Sequence, residues 1–145
     1  SWESALAGKS GVGRITLFDT KDCSVTIAAQ INGYDPTRTY PTMKPRGESG
    51  PPLSQPISGK DLKKMGRFIQ FALGAGMEAY LDSGLDSQRD KINPERMGVN
   101  IGVGMGGLGE IEDEHSVLLE KGFRRVSPFL IPQIITNLAS GHLSI

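Results

Sequence analysis

The chain has 145 residues, 16 of them basic and 16 acidic, so its formal net charge at pH 7 is zero. This size suits one ordinary domain. The balance of charge argues against a diffuse binding surface for nucleic acid or membrane. Its one cysteine, Cys23, excludes a disulfide within the chain and favours a reducing compartment. No apolar run is long enough to cross a bilayer, and no signal peptide is visible.

The first part of the chain predicts a helix, a strand and a loop. Residues 1–7 carry apolar side chains at helical spacing, and Gly8 follows as the expected C-cap. The β-branched content of residues 24–31 favours a strand that ends at the turn signal Asn32-Gly33. Residues 35–57 hold six prolines, so a loop insertion is expected there.

The middle of the chain predicts one long helix and a second strand. Ser58 is the expected N-cap of the helix, in which apolar residues at i, i+3 and i+4 continue to Tyr80. Residues 82–84 are expected to end it. A polar linker then leads to a strand predicted over residues 97–103.

The last part of the chain is mainly helical by the same criteria. A helix is predicted over residues 108–121, with Gly122 as its C-cap, and another over residues 134–143. Between them, residues 127–132 form a rigid apolar stretch with two prolines. The order β, α, β, α predicts an α/β layered architecture.

Six glycines fall within residues 98–109, between the second predicted strand and the next helix. Residues 102–107 fit the G-x-G-x-x-G pattern of dinucleotide-binding turns in the required context. The acidic residue expected about 20 residues later at the end of another strand is missing, because Glu120 falls within the predicted helix. A tight turn packed against other backbone is therefore favoured over a nicotinamide-dependent oxidoreductase.

Metal, cofactor and nucleophile signals are weak. The acidic residues at 110–114 stand beside His115 without a second histidine at ligand spacing, so a solvated helix start is favoured over a metal site. His142 is interpreted as a packed or hydrogen-bonded histidine. Cys23 has no histidine nearby to activate its thiol. We expect neither a metal nor a cofactor.

Two basic clusters stand out in this balanced chain. Lys60, Lys63 and Lys64 are spaced to share one exposed face of the long predicted helix, and Arg124 and Arg125 follow a helix C-cap. Ordinary solubilising charge is one interpretation of both clusters. The other is a docking surface for an acidic partner.

Several spaced motifs, which together span nearly the whole chain, resemble those of one family. They are WESALAGKSGV at residues 2–12, FIQFA at 68–72, DSGL at 82–85, the glycine turn at 102–108, RRVSPF at 124–129 and SGHLSI at 140–145. The family they resemble is the β-ketoacyl-acyl carrier protein synthases of the elongating (type II) kind.

This resemblance implies a thiolase-like fold, a layered α-β-α-β-α arrangement of two similar halves that works as a homodimer. It also implies condensation of an acyl thioester, held on a cysteine, with malonyl-acyl carrier protein, assisted by two histidines. In the family these three residues lie beyond the position of Ile145, and a first strand precedes Trp2. Residues 1–145 are therefore expected to be a partial N-terminal domain without a catalytic residue, and Cys23 is not the nucleophile.

Matching positions imply supporting roles for ten residues. Five belong to the acyl pocket and dimer surface, namely Gly104, Met105, Gly106, Phe129 and Leu130. Five would dock acyl carrier protein, whose recognition face is acidic, namely Lys60, Lys63, Lys64, Arg124 and Arg125. Met105 stands where relatives with longer substrates commonly carry isoleucine, and Gly66 stands where an aspartate is common.

The expected function is a segment of a condensing enzyme of fatty-acid elongation, located in the cytoplasm or in an organelle matrix. Its partners would be acyl carrier protein in the acyl and malonyl forms and a second copy of the full-length protein. The alternative is a non-catalytic partner module that resembles a chain-length factor. Taken alone, the segment is expected to be inactive and to fold poorly, because its sheet edges and apolar faces would lack their cover.

Overall fold

A computed structural model describes residues 2–37 and 57–145, and the chain divides into two units after Asp35. The first unit contains helix α1 (Trp2–Leu6) and strands β1 (Val12–Arg14) and β2 (Ile27–Ala29). The strands are antiparallel, and Gly13 lies opposite Ala28. The helix ends at Leu6, one residue before the predicted end, and Gly8 follows with a φ of 63°.

The first unit differs from the prediction in the extent of its strands. The strand expected over residues 24–31 is reduced to β2, and β1 was not predicted. Beyond β1 the pairing continues through a side chain, because Thr16 N–H donates to Gln30 Oε1 at 2.8 Å and Gln30 Nε2 donates to Thr16 Oγ1 at 3.0 Å. The predicted turn is present, with Gly33 at a φ of 68°.

The second unit is helical in its described residues. Its α-helices are α2 (Arg67–Asp82), α3 (Leu108–Lys121), α4 (Leu130–Ile134) and α5 (Leu138–Ser144). Short 3₁₀-helices lie at Asp61–Lys64, Leu85–Lys91, Pro94–Arg96 and Phe123–Arg125. The predicted bounds of α3 are confirmed, and Gly122 ends it with a φ of 79°. None of the described helices combines the length and the apolar character that a membrane crossing requires.

The core of this unit lies where α2 packs against α5. Ile57 and Ile69 are 1% and 0% exposed, and Leu138 and Leu143 pack against the cluster that they form. The two helices approach so closely that a Cβ on Gly76 would overlap the side chain of Leu143. This contact fixes α5 against the middle of α2.

The long helix predicted from Ser58 to Tyr80 is wrong as a single element. Residues Asp61–Lys64 form a 3₁₀-helix, Met65 is extended, and α2 begins after Gly66, whose ψ of 159° is not helical. Ser58 is not the N-cap, which is Lys60, although its Oγ accepts a hydrogen bond from Asp61 N–H at 3.2 Å. The expected end at residues 82–84 is confirmed.

The predicted layered α/β architecture is not seen either. Residues 97–103 are not a paired strand, since the only sheet of the described residues is the β1–β2 pair. Residues 38–56, most of the predicted loop insertion, lie outside the described residues. The helix predicted over residues 134–143 is divided between α4 and α5, and α4 occupies part of the apolar stretch 127–132.

Candidate functional site

The second half of the glycine run lies against the C-terminal end of α4. A Cβ on Gly106 would overlap Ile134 O, and a Cβ on Gly107 would be 3.0 Å from Gln133 O. The contact at Gly106 has no room for a real side chain, and the contact at Gly107 is tighter than most real Cβ contacts. The predicted close approach of backbone is therefore confirmed at these two positions, whereas a Cβ on Gly98, Gly102, Gly104 or Gly109 would meet nothing within 4 Å.

A third glycine reaches the same place from the start of α2. Gly66 is buried, and a Cβ on it would overlap Gln133 O. Three segments that are far apart in sequence therefore meet: residues 63–67, 106–110 and 133–134. We call this meeting point the glycine junction. Gly66 allows this contact because it has no side chain.

Two side chains connect the segments of the glycine junction by hydrogen bonds. Glu110, in the first turn of α3, accepts a hydrogen bond from Arg67 N–H at 2.7 Å through Oε1. Gln133, in the last turn of α4, donates from Nε2 to Lys63 O at 2.9 Å. Glu110 thus supplies negative charge to the N-terminal ends of both α2 and α3, where helix dipoles favour it.

Neither Glu110 nor Gln133 was among the predicted site residues. Glu110 was assigned to a solvated acidic helix start, whereas it is half-buried and bonded to α2. Gln133 carried one weak signal, as a polar residue within the apolar run that surrounds Pro132. Their partners are 43 and 70 positions away in sequence, so no local pattern identifies them.

The predicted pocket residues lie beside the glycine junction. Met105, next to Gly106, has a side chain that is 74% exposed, and Phe129 at the start of α4 is 40% exposed. Leu130 is half-buried. Since Gly106 lies on the last residue of α4, the turn that carries Met105 is fixed against the helix that begins with Leu130.

The lysine cluster lies on and just before the 3₁₀-helix Asp61–Lys64, with all three side chains exposed. Lys64 Nζ is 3.1 Å from Asp61 Oδ1. Hydrogen bonds from Ser58 and then from Lys64 hold the pKa of the Asp61 carboxyl below its usual range. Part of the charge of this cluster is therefore balanced locally, which leaves Lys60 and Lys63 as its more available cations.

The arginine cluster lies on the 3₁₀-helix Phe123–Arg125, where both side chains are exposed. The Arg124 guanidinium is 6.0 Å from the centre of the Phe123 ring. Just beyond, Ser127 N–H donates to Glu114 Oε2 at 2.8 Å and ties this segment to α3. Since α4 contacts both α3 and the 3₁₀-helix Asp61–Lys64, the two clusters lie on elements packed around the same helices.

The remaining candidates are Cys23 and the acidic helix start beside His115. Cys23 and His115 are exposed and lie in different units. Within residues 2–37 and 57–145, no group of three or more His, Cys, Asp or Glu side chains could hold a metal ion.

Known proteins match this chain along its whole length. The family model described as "Beta-ketoacyl synthase, N-terminal domain" matches residues 1–145. The chain is 41% identical to 3-oxoacyl-[acyl-carrier-protein] synthase 2 of Vibrio cholerae serotype O1 over 145 residues. It is 38% identical over 144 residues to the protein of that name from Coxiella burnetii, and 35% identical over 145 residues to the one from Staphylococcus aureus.

The alignments cover 99–100% of this chain but only 30–31% of these relatives. The chain thus spans less than a third of their length, in the region that corresponds to the N-terminal domain. The resemblance drawn from the spaced motifs is confirmed. The chain belongs to the β-ketoacyl synthase family, within the N-terminal domain.

Proposed function

We propose that residues 1–145 work within a longer 3-oxoacyl-acyl carrier protein synthase, an acyltransferase that extends fatty acids by decarboxylating condensation. The observation that carries this proposal is the match of the whole chain to the family, together with relatives that all bear this name. In such an enzyme, the layered thiolase-like arrangement and the homodimer would supply strands and surfaces beyond those of the described residues. The cytoplasm is the proposed location.

The chain contributes the wall of the acyl pocket in this proposal. Met105, held by the contact between Gly106 and α4, presents a flexible apolar side chain suited to an alkyl substrate. Phe129 and Leu130 at the other end of α4 would contact the pocket of the partner copy across the dimer. The exposure of Phe129 supports a role in contacts beyond this chain.

The basic clusters are the proposed docking surface for acyl carrier protein in both its acyl and its malonyl form. Lys60, Lys63, Lys64, Arg124 and Arg125 are all exposed, and they project from elements joined through α3 and α4. Positive charge on such a surface accelerates encounter with an acidic partner and fixes its orientation. In this proposal, the nucleophile and the two histidines belong to the remainder of the enzyme.

A complementation experiment tests this function. The full-length protein that carries this chain is expected to restore growth to bacteria that conditionally lack their own elongating condensing enzyme. A Cys23→Ala variant should restore growth equally well, because this exposed thiol has no part in the proposed chemistry. Failure of the full-length protein to restore growth despite its expression would contradict the proposal.

A further inference from the structure

The glycine junction lies between the proposed docking surface and the proposed pocket wall. Gln133 takes part on both sides: its side chain bonds Lys63 O, and its backbone oxygen lies against Gly66 and Gly107. We propose that Gln133 is a positioning residue that holds the docking lysines in register with the pocket turn, and that it thereby selects carrier-bound over free thioesters. This inference rests on the proposed function.

The docking side of the junction needs such support. The 3₁₀-helix Asp61–Lys64 has only four residues, and short 3₁₀-helices have poor internal hydrogen-bond geometry. It is followed by extended Met65, so α2 does not continue into it. The hydrogen bond from Gln133 to Lys63 O is therefore a main determinant of where Lys63 and Lys64 project.

The pocket side of the junction is fixed by steric contact. A Cβ added to Gly107 would lie 3.0 Å from both Gln133 O and Ile134 Cγ2. A Cβ added to Gly106 would lie closer still to Ile134 O. Well-packed backbone of this kind resists displacement. The turn with Met105 thus moves together with the end of α4. The hydrogen bond from Gln133 to Lys63 O connects the lysine segment to the same rigid unit.

The consequence differs between two kinds of substrate. An acyl group attached to a carrier protein enters the pocket only if the docked carrier and the pocket mouth are in register, and a misplacement of about 1 Å is enough to impair a reaction. A free small thioester has no such tether. Loosening the link should therefore affect the carrier-bound substrate selectively.

The chain offers a matched control in Gln70. Its Nε2 donates to Met65 O at 3.1 Å, so it bonds the same backbone segment with the same chemical group. However, Gln70 belongs to α2, and Met65 is only five positions away from it. Its Oε1 also accepts a hydrogen bond from Arg67 Nη1 at 3.3 Å, within α2. Replacing Gln70 removes its bonds to Met65 and Arg67 but leaves the hydrogen bond from Gln133 to Lys63 O in place.

The test compares Gln133→Met with Gln70→Met in the full-length enzyme. The two alternative substrates are an acyl group bound to the carrier protein and an acyl-N-acetylcysteamine thioester. For Gln133→Met, KM for the carrier substrate should rise about five-fold more than KM for the small thioester, the change expected for one lost neutral hydrogen bond. Gln70→Met should leave the ratio of the two KM values as in the wild type. Gln133→Ala gives the same comparison if the methionine variant does not fold.

Two results would overturn the inference while leaving the proposed function intact: an equal rise in both KM values, or the same change of ratio for Gln70→Met. Both would indicate a general effect on folding instead of register. A wild-type enzyme that condenses neither substrate would instead reject the proposed function, and this inference with it.

Discussion

The Glu110 carboxylate accepts a hydrogen bond from the backbone N–H of Arg67 at 2.7 Å, across 43 positions of sequence. Arg67 is the first residue of α2, and its N-cap, Gly66, has no side chain to cap the helix. Glu110 therefore replaces the missing local cap with a charged acceptor from α3. This arrangement couples the start of α2 to the turn that carries the proposed pocket residue Met105.

Replacing Glu110 with alanine should loosen the first turn of α2. Loss of a charged hydrogen-bond acceptor at a helix N-terminus should accelerate exchange of the backbone amides in residues 66–70 by about ten-fold. Hydrogen exchange of the full-length protein, followed by mass spectrometry, measures this change. Glu112→Ala is the control, because Glu112 is an exposed acidic residue of the same helix; similar acceleration in both variants would argue against the capping role.

The contact between Gly106 and α4 makes a second prediction. Gly106→Ala introduces a Cβ into the space of Ile134 O and should lower the free energy of unfolding by about 1–3 kcal/mol. Gly102→Ala is the matched control in the same run, since a Cβ there meets nothing within 4 Å. Melting temperatures of the two full-length variants measure the difference. Equal melting temperatures would mean that the turn does not lie against α4 as described.

Sequence patterns predicted those helices and turns whose ends are determined by residues nearby in the sequence. The bounds of α3 follow from glycines at both ends and an acidic first turn, and Gly8 and Gly33 mark turns through their positive φ. The break at Gly66 could not be predicted this way, because apolar periodicity continues across it and the cause is the contact with Gln133.

Strand formation also depends on a pairing partner, which a local sequence pattern does not reveal. Residues 97–103 have the composition of a strand, but a strand requires a neighbour to receive its hydrogen bonds, and the described residues do not provide one. Ile101 N–H is instead bonded to Ser140 Oγ at 3.1 Å. For the candidate site, family motifs identified exposed residues such as Lys63, whereas Glu110 and Gln133 emerged only from tertiary contacts.

The docking surface predicts a selective effect of charge reversal. Changing Lys63, Lys64 and Arg124 together to glutamate should raise KM for the acylated carrier protein at least about ten-fold, because like charges would then face each other. KM for a small thioester should change far less. A control with Lys9, Arg14 and Lys21 reversed has the same change of charge on exposed residues of the first unit. Steady-state kinetics with both substrates measure the effect. Equal increases for the two substrates would rule out docking.

The pocket assignment predicts a change in chain-length preference. Met105→Phe should lower kcat/KM for the longest accepted acyl chain by about ten-fold relative to a short one, because added bulk shortens the space for the alkyl tail. Met97→Phe, at another exposed methionine, should leave this preference as it is. Rates over a series of acyl-carrier substrates measure it. An unchanged preference in the Met105 variant would place that side chain outside the pocket.

In the proposed function, this chain provides binding surfaces for a condensing enzyme whose catalytic residues lie in the rest of the full-length protein. An assay of 3-oxoacyl-carrier product from acyl- and malonyl-carrier substrates, with the full-length protein and residues 1–145 side by side, tests this division of roles. We predict product from the full-length protein and none from residues 1–145 alone. Product from residues 1–145, or none from the folded full-length protein, would contradict the account.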